Sequence, residues 1–265
     1  MGGAWLDFGC KVTDTEGMTG FRSLMHRLGL GRPGFDAALA PDSAFVVVGD
    51  IHGMSDLLET LLAKLSKEAP GLPIVCVGDY VDRGHDSAGV LRRLMELNPE
   101  ATGGACLQGN HEAMMLEFLE TPDSAGRLWM ANGGAETLRS FGIDAPEDHP
   151  YETLCKRLQE AAGDALLAWL SARPLIWQSG NVVVSHAGGD PNLPIQPGRG
   201  HGLLWGHPDF FDIPRQDGLW MAHGHYVRDA PVMKAGRIGV DTGAVQTGRL
   251  TAAIIEPGYV RFIHT

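Results

Sequence analysis

The chain has 265 residues, 44% of them hydrophobic and 20% charged, enough for one large folded domain and unlike a disordered or fibrous chain. Lys+Arg 21 against Asp+Glu 32 gives a net charge of −11, which argues against gripping nucleic acid by phosphate neutralisation and favours cations as partners. No apolar run approaches a membrane span, and Cys10, Cys76, Cys106 and Cys155 show no paired spacing. A cytoplasmic protein in a reducing compartment is therefore expected, with no membrane and no nucleic-acid partner.

Residues 1–43 show no sustained period, and a basic stretch (Arg22, His26, Arg27, Arg32) runs into Pro33 and Gly34. They are expected to form a weakly structured N-terminal leader, with one domain over 44–265. From Ala44 on, short β-branched runs alternate with helical patterns, which is the signature of an α/β layer architecture. Strands are expected at 44–48, 74–77 and 105–108, and later at 182–185 and 219–222. Each stops at residues able to bind a metal: Asp50, Asp79, Asn110, His186, and the run His223-Gly224-His225. Open α/β sheets place their ligands at such strand ends.

Between the strands, Ser55 reads as the N-cap of a helix with Leu57, Leu58, Leu61, Leu62 and Leu65 on one face. A second helix is expected through Val90, Leu91, Leu94 and Leu97. A helical insertion is expected over about 111–172, broken at Pro122, Gly133-Gly134 and Pro146. Closing strands follow at 238–240, 250–255 and 259–263.

Three segments carry the chemistry: Gly49-Asp50-Ile51-His52-Gly53, Gly78-Asp79-Tyr80-Val81-Asp82-Arg83-Gly84, and Gly109-Asn110-His111-Glu112. Their carboxylates, imidazoles and amide oxygen, with no thiolate, form a donor set suited to Mn²⁺, Fe or Zn²⁺. Asp50 and His52, two apart on what reads as extended chain, would face one ion together. The three segments, in this order, resemble the phosphoprotein phosphatase branch of the calcineurin-like metallophosphoesterases, and the resemblance runs on through Ser185-His186-Ala187-Gly188, Gly224-His225 and Asp241-Thr242-Gly243. It implies a four-layer α/β/β/α sandwich.

The resemblance also implies a set of roles. Two divalent ions, Mn²⁺ above all, would be held by Asp50, His52, Asp79, Asn110, His186 and His225, with Asp79 shared between them. A hydroxide held by the two ions would attack phosphorus in line. His111 would act as general acid oriented by Asp82, and Arg83 would grip the phosphoryl oxygens. Glu112 reads as a supporting or capping residue, and Asp241 as either a support of the site or a turn former. His207 stands where related phosphatases carry an arginine after Leu-Leu-Trp, so a weaker phosphate contact is expected there, with Arg199 and Arg215 as the other clamp candidates. His223 is the alternative to His225 as ligand.

The function expected is metal-dependent hydrolysis of phosphate monoesters, above all of phosphoproteins at Ser or Thr, with Tyr or a phosphorylated small molecule as other substrates. The alternative is a symmetrical diadenosine tetraphosphate hydrolase. A catalytically silent metal-binding scaffold is the reading of a different class, disfavoured because Asp79, Asp82, Arg83 and His111 are all present.

Overall fold

The run Phe45-Val46-Val47-Val48 shows how the layers arise. Side chains alternate across a strand, so Phe45 and Val47 enter one hydrophobic cluster and Val46 and Val48 another. The strand is therefore buried on both faces, and the apolar run is continuous rather than alternating. The computed structural model describes residues 34–146 and 150–265. In chain order its elements are β1 (Phe45–Val48), α1 (Ser55–Glu68), β2 (Ile74–Cys76), α2 (Ser87–Leu97), β3 (Ala105–Cys106), α3 (Asn110–Glu120), α4 (Pro122–Trp129), α5 (Ala135–Ser140), α6 (Tyr151–Ala162), α7 (Asp164–Ser171), β4 (Ile176–Ser179), β5 (Val182–Ser185), α8 (Gly200–Trp205), β6 (Trp220–His223), β7 (Val232–Lys234), β8 (Arg237–Gly239), α9 (Ala244–Thr247), β9 (Thr251–Glu256) and β10 (Tyr259–His264). None of the helices is long and apolar enough to cross a membrane, among the described residues.

The strands make two five-stranded mixed sheets, ordered β10-β9-β1-β2-β3 and β4-β5-β6-β8-β7. In the first, β1, β2 and β3 are parallel, with Val47 opposite Val75 and Cys76 opposite Cys106. In the second, β5, β6 and β8 are parallel. The sheets face each other through Phe45, Val47, Val75, Val77 and Leu107 on one side and Val182, Val184, Ala222, Ile238 and Val240 on the other. Helices cover the outer face of the first sheet, where Leu58, Leu61 and Leu65 of α1 and Val90, Leu91 and Leu94 of α2 are buried. The outer face of the second sheet, Val183 and Met221, packs on Phe210 from the segment that follows α8. The expected α/β/β/α sandwich is thus present, with a thin fourth layer.

Three differences from the sequence reading have local causes. Ser55 is the first helical residue of α1 and not its cap; Met54 occupies the capping position and no side chain caps the helix. The strands β4 and β7 were not expected. β4 carries an outward Gln178 and β7 two exposed residues, so neither shows a clean apolar run. Each is the antiparallel edge partner of a predicted strand, and Gly180-Asn181 and Ala235-Gly236 turn the two hairpins.

The expected leader over 1–43 lies largely outside the described residues, as does Cys10. Its last part does not behave as a leader, because residues 35–265 form one compact unit. Asn181 fixes this stretch with both ends of its amide: Ala40 N donates to Oδ1 (2.8 Å) and Nδ2 donates to Ala38 O (2.8 Å). Trp220 Nε1 donates to Ala37 O (3.0 Å), and Phe35 packs edge-on against the Trp220 ring at 5.1 Å. These partners lie some 140 to 180 residues downstream and are invisible to local periodicity.

The close approach at Gly180 offers a test. Its φ is +53° and a methyl there would meet Ala40 O at 2.1 Å, whereas Gly71, with φ +74°, faces open space. Gly180→Ala is expected to destabilise the fold by about 1–3 kcal/mol more than Gly71→Ala in urea unfolding. Equal losses would mean that the 35–43 stretch does not rest on the β4–β5 turn.

Candidate metal and phosphate site

Five strand ends converge. Asp50 follows β1, Asp79 follows β2, Asn110 begins α3 just after β3, His186 follows β5 and His225 follows β6. The parallel strands of both sheets thus deliver their carboxyl ends to one edge. The backbone there is strained: of seven non-glycine residues with positive φ among the described residues, five are His52 (46°), Asp79 (53°), Asp82 (72°), Arg83 (67°) and His225 (63°). Such conformations cost about 1–3 kcal/mol each and persist only where the surroundings over-determine them. His52 is therefore not on extended chain as expected. Its N–H and that of Ile51 both donate to Asp79 O, at 2.9 and 3.0 Å, which ties the first segment to the second.

The Asp79 carboxylate sits between two groups of imidazoles. Its Oδ2 lies 3.5 Å from His52 Nε2 and 3.9 Å from His111 Nε2; its Oδ1 lies 3.4 Å from His186 Nε2. On the His186 side, Asn110 Oδ1 lies 2.8 Å from His186 Nε2 and 3.1 Å from His225 Nδ1. Ligand atoms of His52, Asp79 and His111, and of Asp79, His186 and His225, lie within 4.8 Å of one another in two groups that share Asp79.

The tautomers suit cation binding. His52 Nδ1 donates to Val81 O (2.8 Å) and His186 Nδ1 donates to Val77 O (3.2 Å), so each Nε2 presents a lone pair to the cluster. Burial lowers the pKa of His52 to about 3 and that of His225 to about 4, with the neighbouring imidazoles His111 and His186 adding to the effect, and burial lowers that of His186 as well. The imidazoles are therefore neutral near pH 7. Burial disfavours ionisation of Asp79, but at low pH, where the surrounding histidines carry charge, their attraction outweighs it and holds the carboxyl below its usual range.

Asp50 supplies a direct test of fit. Its Oδ2 accepts from His225 N (3.0 Å), while Oδ1 is buried with no hydrogen-bond partner. Burial, reinforced by the charges of Asp241 and Asp79, pushes its pKa well up. A buried carboxylate oxygen without a donor, crowded by two other carboxylates, is what a hard divalent cation satisfies. The donor set fits such ions.

The loop that carries Asp79 is held by Glu112. Its Oε2 accepts from Asp79 N (2.7 Å) and Gly109 N (2.9 Å), and its Oε1 from Tyr80 N (2.7 Å) and Val81 N (3.2 Å). This matches its expected supporting role. Asp241 caps its own turn, with Gly243 N donating to Oδ1 at 2.9 Å, and burial raises its pKa to about 6.

His111 Nδ1 lies 2.7 Å from Asp82 Oδ2 and both side chains are buried. Burial alone would lower the His111 pKa, but the Asp79 charge and the Asp82 hydrogen bond outweigh it and raise it. Arg83 is exposed, and its Nη1 reaches to 3.3 Å from His52 Nε2. His223 is turned away: its Nδ1 donates to Gly224 O (2.9 Å), and its ring packs among Phe210, Phe211 and Tyr226. Of the two histidines, only His225 joins a ligand group.

His207 lies 3.7 Å from Asp190 Oδ2 and lines a cavity of about 330 Å³ with Asp190, Leu193 and His201. Arg215 is buried and bonds to Asp217, Asp190 O and Leu193 O, so it braces the cavity wall. The Arg199 side chain lies outside the described residues. Thr137 and Trp129, which no motif marks in the sequence, both contact Asp82.

The profile of the Calcineurin-like phosphoesterase family matches residues 43–229. The chain belongs to this family. As a calcineurin-like phosphoesterase it is a hydrolase of phosphoesters, and the family resemblance read from the three segments holds. Serine/threonine-protein phosphatase 1 of Salmonella typhimurium is 30% identical over 217 residues, 79% of this chain and 91% of that one. Serine/threonine-protein phosphatase 2 of Escherichia coli is 47% identical over 88 residues, a stretch that spans only 33% of this chain and 37% of that protein. The symmetrical bis(5'-nucleosyl)-tetraphosphatase of Ralstonia nicotianae is 27% identical over 274 residues, 78% of this chain and 87% of that one. Among solved structures, a protein serine/threonine phosphatase from Saccharomyces cerevisiae shares the fold, with a TM-score of 0.52 at 18% identity over 85% of this chain and 80% of that one.

A methyl at Gly224 would sit 1.9 Å from Asp50 Oδ1. Gly224→Ala is expected to weaken Mn²⁺ binding on the order of 10–100-fold, as loss of a ligand's orientation does. Titration calorimetry of the metal-free protein measures this, and unchanged affinity would remove Asp50 from the metal site.

Proposed function

We propose that this phosphoesterase removes phosphate from phosphoproteins at Ser or Thr, using two divalent cations, of which Mn²⁺ is the expected pair. The observation that carries the reading is the Asp79 carboxylate placed between two histidine groups, with the buried His111–Asp82 pair beside it. Asp50, His52 and Asp79 would hold one ion, and Asp79, Asn110, His186 and His225 the other. Bound there, the cations supply Lewis acidity towards the phosphoryl oxygens and a water acidic enough to act as nucleophile near neutral pH.

The chain's own residues do the rest. Arg83, exposed at the rim, reaches over the site with a planar guanidinium suited to two phosphoryl oxygens. His111 holds a proton on Nε2 while Nδ1–H is fixed by Asp82, and transfers the Nε2 proton to the departing alkoxide oxygen of a serine or threonine side chain. His207, on the wall of a cavity also lined by Gly189, three residues after His186, is assigned to substrate contact beyond the phosphoryl group, as it faces Asp190 and belongs to neither ligand group. The free, buried thiols of Cys76, Cys106 and Cys155 accord with a reducing, cytoplasmic setting.

The second reading, cleavage of a dinucleoside tetraphosphate, is favoured by the extent of the match to the Ralstonia nicotianae protein. Both readings use the same ions and acid and differ in what fills the cavity beside His207. Mn²⁺-loaded protein given a phosphoserine peptide and diadenosine tetraphosphate at equal concentration separates them. Phosphate release from the peptide, abolished by chelation, is the expected result; preferential release of ADP would establish the nucleotide reading instead.

A further inference from the structure

Two side chains of the helical insertion meet at the Asp82 carboxylate. Trp129 Nε1 donates to both of its oxygens, at 3.1 Å to Oδ1 and 3.2 Å to Oδ2. Thr137 Oγ1 donates to Oδ1 at 2.7 Å and accepts the Asp82 backbone N–H at 2.8 Å. Ser87 Oγ, from the start of α2, lies 3.1 Å from the same N–H and 3.1 Å from the Thr137 hydroxyl. All four residues have 0% exposure, so no water competes for these bonds.

A carboxylate accepts along about four directions. Here the indole N–H spans both oxygens, the threonine hydroxyl holds one, and His111 Nδ1, 2.7 Å from Oδ2, takes what remains. The plane of Asp82 is therefore set by the insertion and not by its own loop, where φ at Asp82 is 72° and at Arg83 67°. The insertion is shaped for the contact. It bends through a π-helical segment, Met130–Gly134, in which Gly133 has φ 106°. A methyl on Gly133 would meet Arg83 N at 2.5 Å, and one on Gly134 would meet the Trp129 ring at 2.6 Å.

We propose that Trp129 and Thr137 are positioning residues for proton delivery: by fixing the tilt of Asp82 they aim His111 Nε2 at the leaving oxygen. This rests on the reading of His111 as general acid. The consequence is specific to the leaving group. A serine alkoxide is strongly basic and departs only as it is protonated, whereas p-nitrophenolate is weakly basic and departs with little help. Misaligning the acid must therefore harm the first ester more than the second. Loss of fold or of metal harms both alike.

The experiment compares kcat on a phosphoserine peptide and on p-nitrophenyl phosphate for Mn²⁺-loaded wild type, Trp129→Phe, Thr137→Val and Thr137→Ser. Trp129→Phe and Thr137→Val are expected to lower kcat on the peptide on the order of tenfold more than on the nitrophenyl ester, part of the effect of a whole general acid. Thr137→Ser, which keeps the hydroxyl, is expected to restore the wild-type ratio. Equal losses on both esters, or none on either, would overturn the proposal and leave the phosphatase reading standing. Failure of the metal-loaded wild type to hydrolyse either ester would overturn both.

Discussion

The burial of one carboxylate, Asp79, between opposed sets of imidazoles is the constraint around which the rest of the site is arranged. Ionisation of a group with about 2% exposure is costly unless positive charge or donors face it. His111 N donates to its Oδ1 at 3.1 Å, and the lone pairs of the neighbouring histidines point inward beside it. Asp50 and Asp241 bring further negative charge. The cluster thus has a surplus of acceptors, which divalent cations would complete. Glu112 holds the Asp79 loop from behind through the backbone N–H groups of Asp79, Tyr80 and Val81, so a strained turn can persist where the carboxylate must stand.

The architecture explains why these groups can meet at all. Parallel strands in each of two facing sheets end at the same edge, and the apolar layer between the sheets, from Phe45 and Val47 to Val184 and Ile238, keeps that edge closed. The first sheet supplies Asp50, Asp79 and Asn110 and the second supplies His186 and His225. Neither sheet alone holds a complete set. The insertion adds Trp129 and Thr137 behind Asp82, so the His111–Asp82 pair rests on loops of the first sheet and on the insertion together.

What could be read in the sequence follows the range of the interactions concerned. Asp50, Asp79 and His186 stand after β-branched runs and Asn110 after the apolar run Ala105-Cys106-Leu107, so local pattern places them together at one edge. The parallel strands were legible for the same reason, being buried on both faces. The edge strands β4 and β7 were not, since Gln178 in the first and Met233 and Lys234 in the second face solvent and only the Gly180-Asn181 and Ala235-Gly236 turns mark them. The choice between His223 and His225 needed the ring environment: Phe210 and Phe211, more than ten positions upstream, claim His223. Trp129 and Thr137 reach Asp82 across 47 and 55 positions, and a tryptophan at helical spacing reads as core. One signal was available, the Gly133-Gly134 pair, which marks close backbone approach rather than a simple break. Residues 35–43 were misjudged because their partners, Asn181 and Trp220, lie far along the chain.

The proposed function has Asp79 shared by two ions. Its most direct measurement is the number of Mn²⁺ ions bound per chain, by elemental analysis after equilibrium dialysis, in the wild type and in Asp79→Asn with the fold checked by circular dichroism. Two ions in the wild type and fewer than one in the folded variant are the result expected. One ion in both, or two in both, would contradict a shared carboxylate.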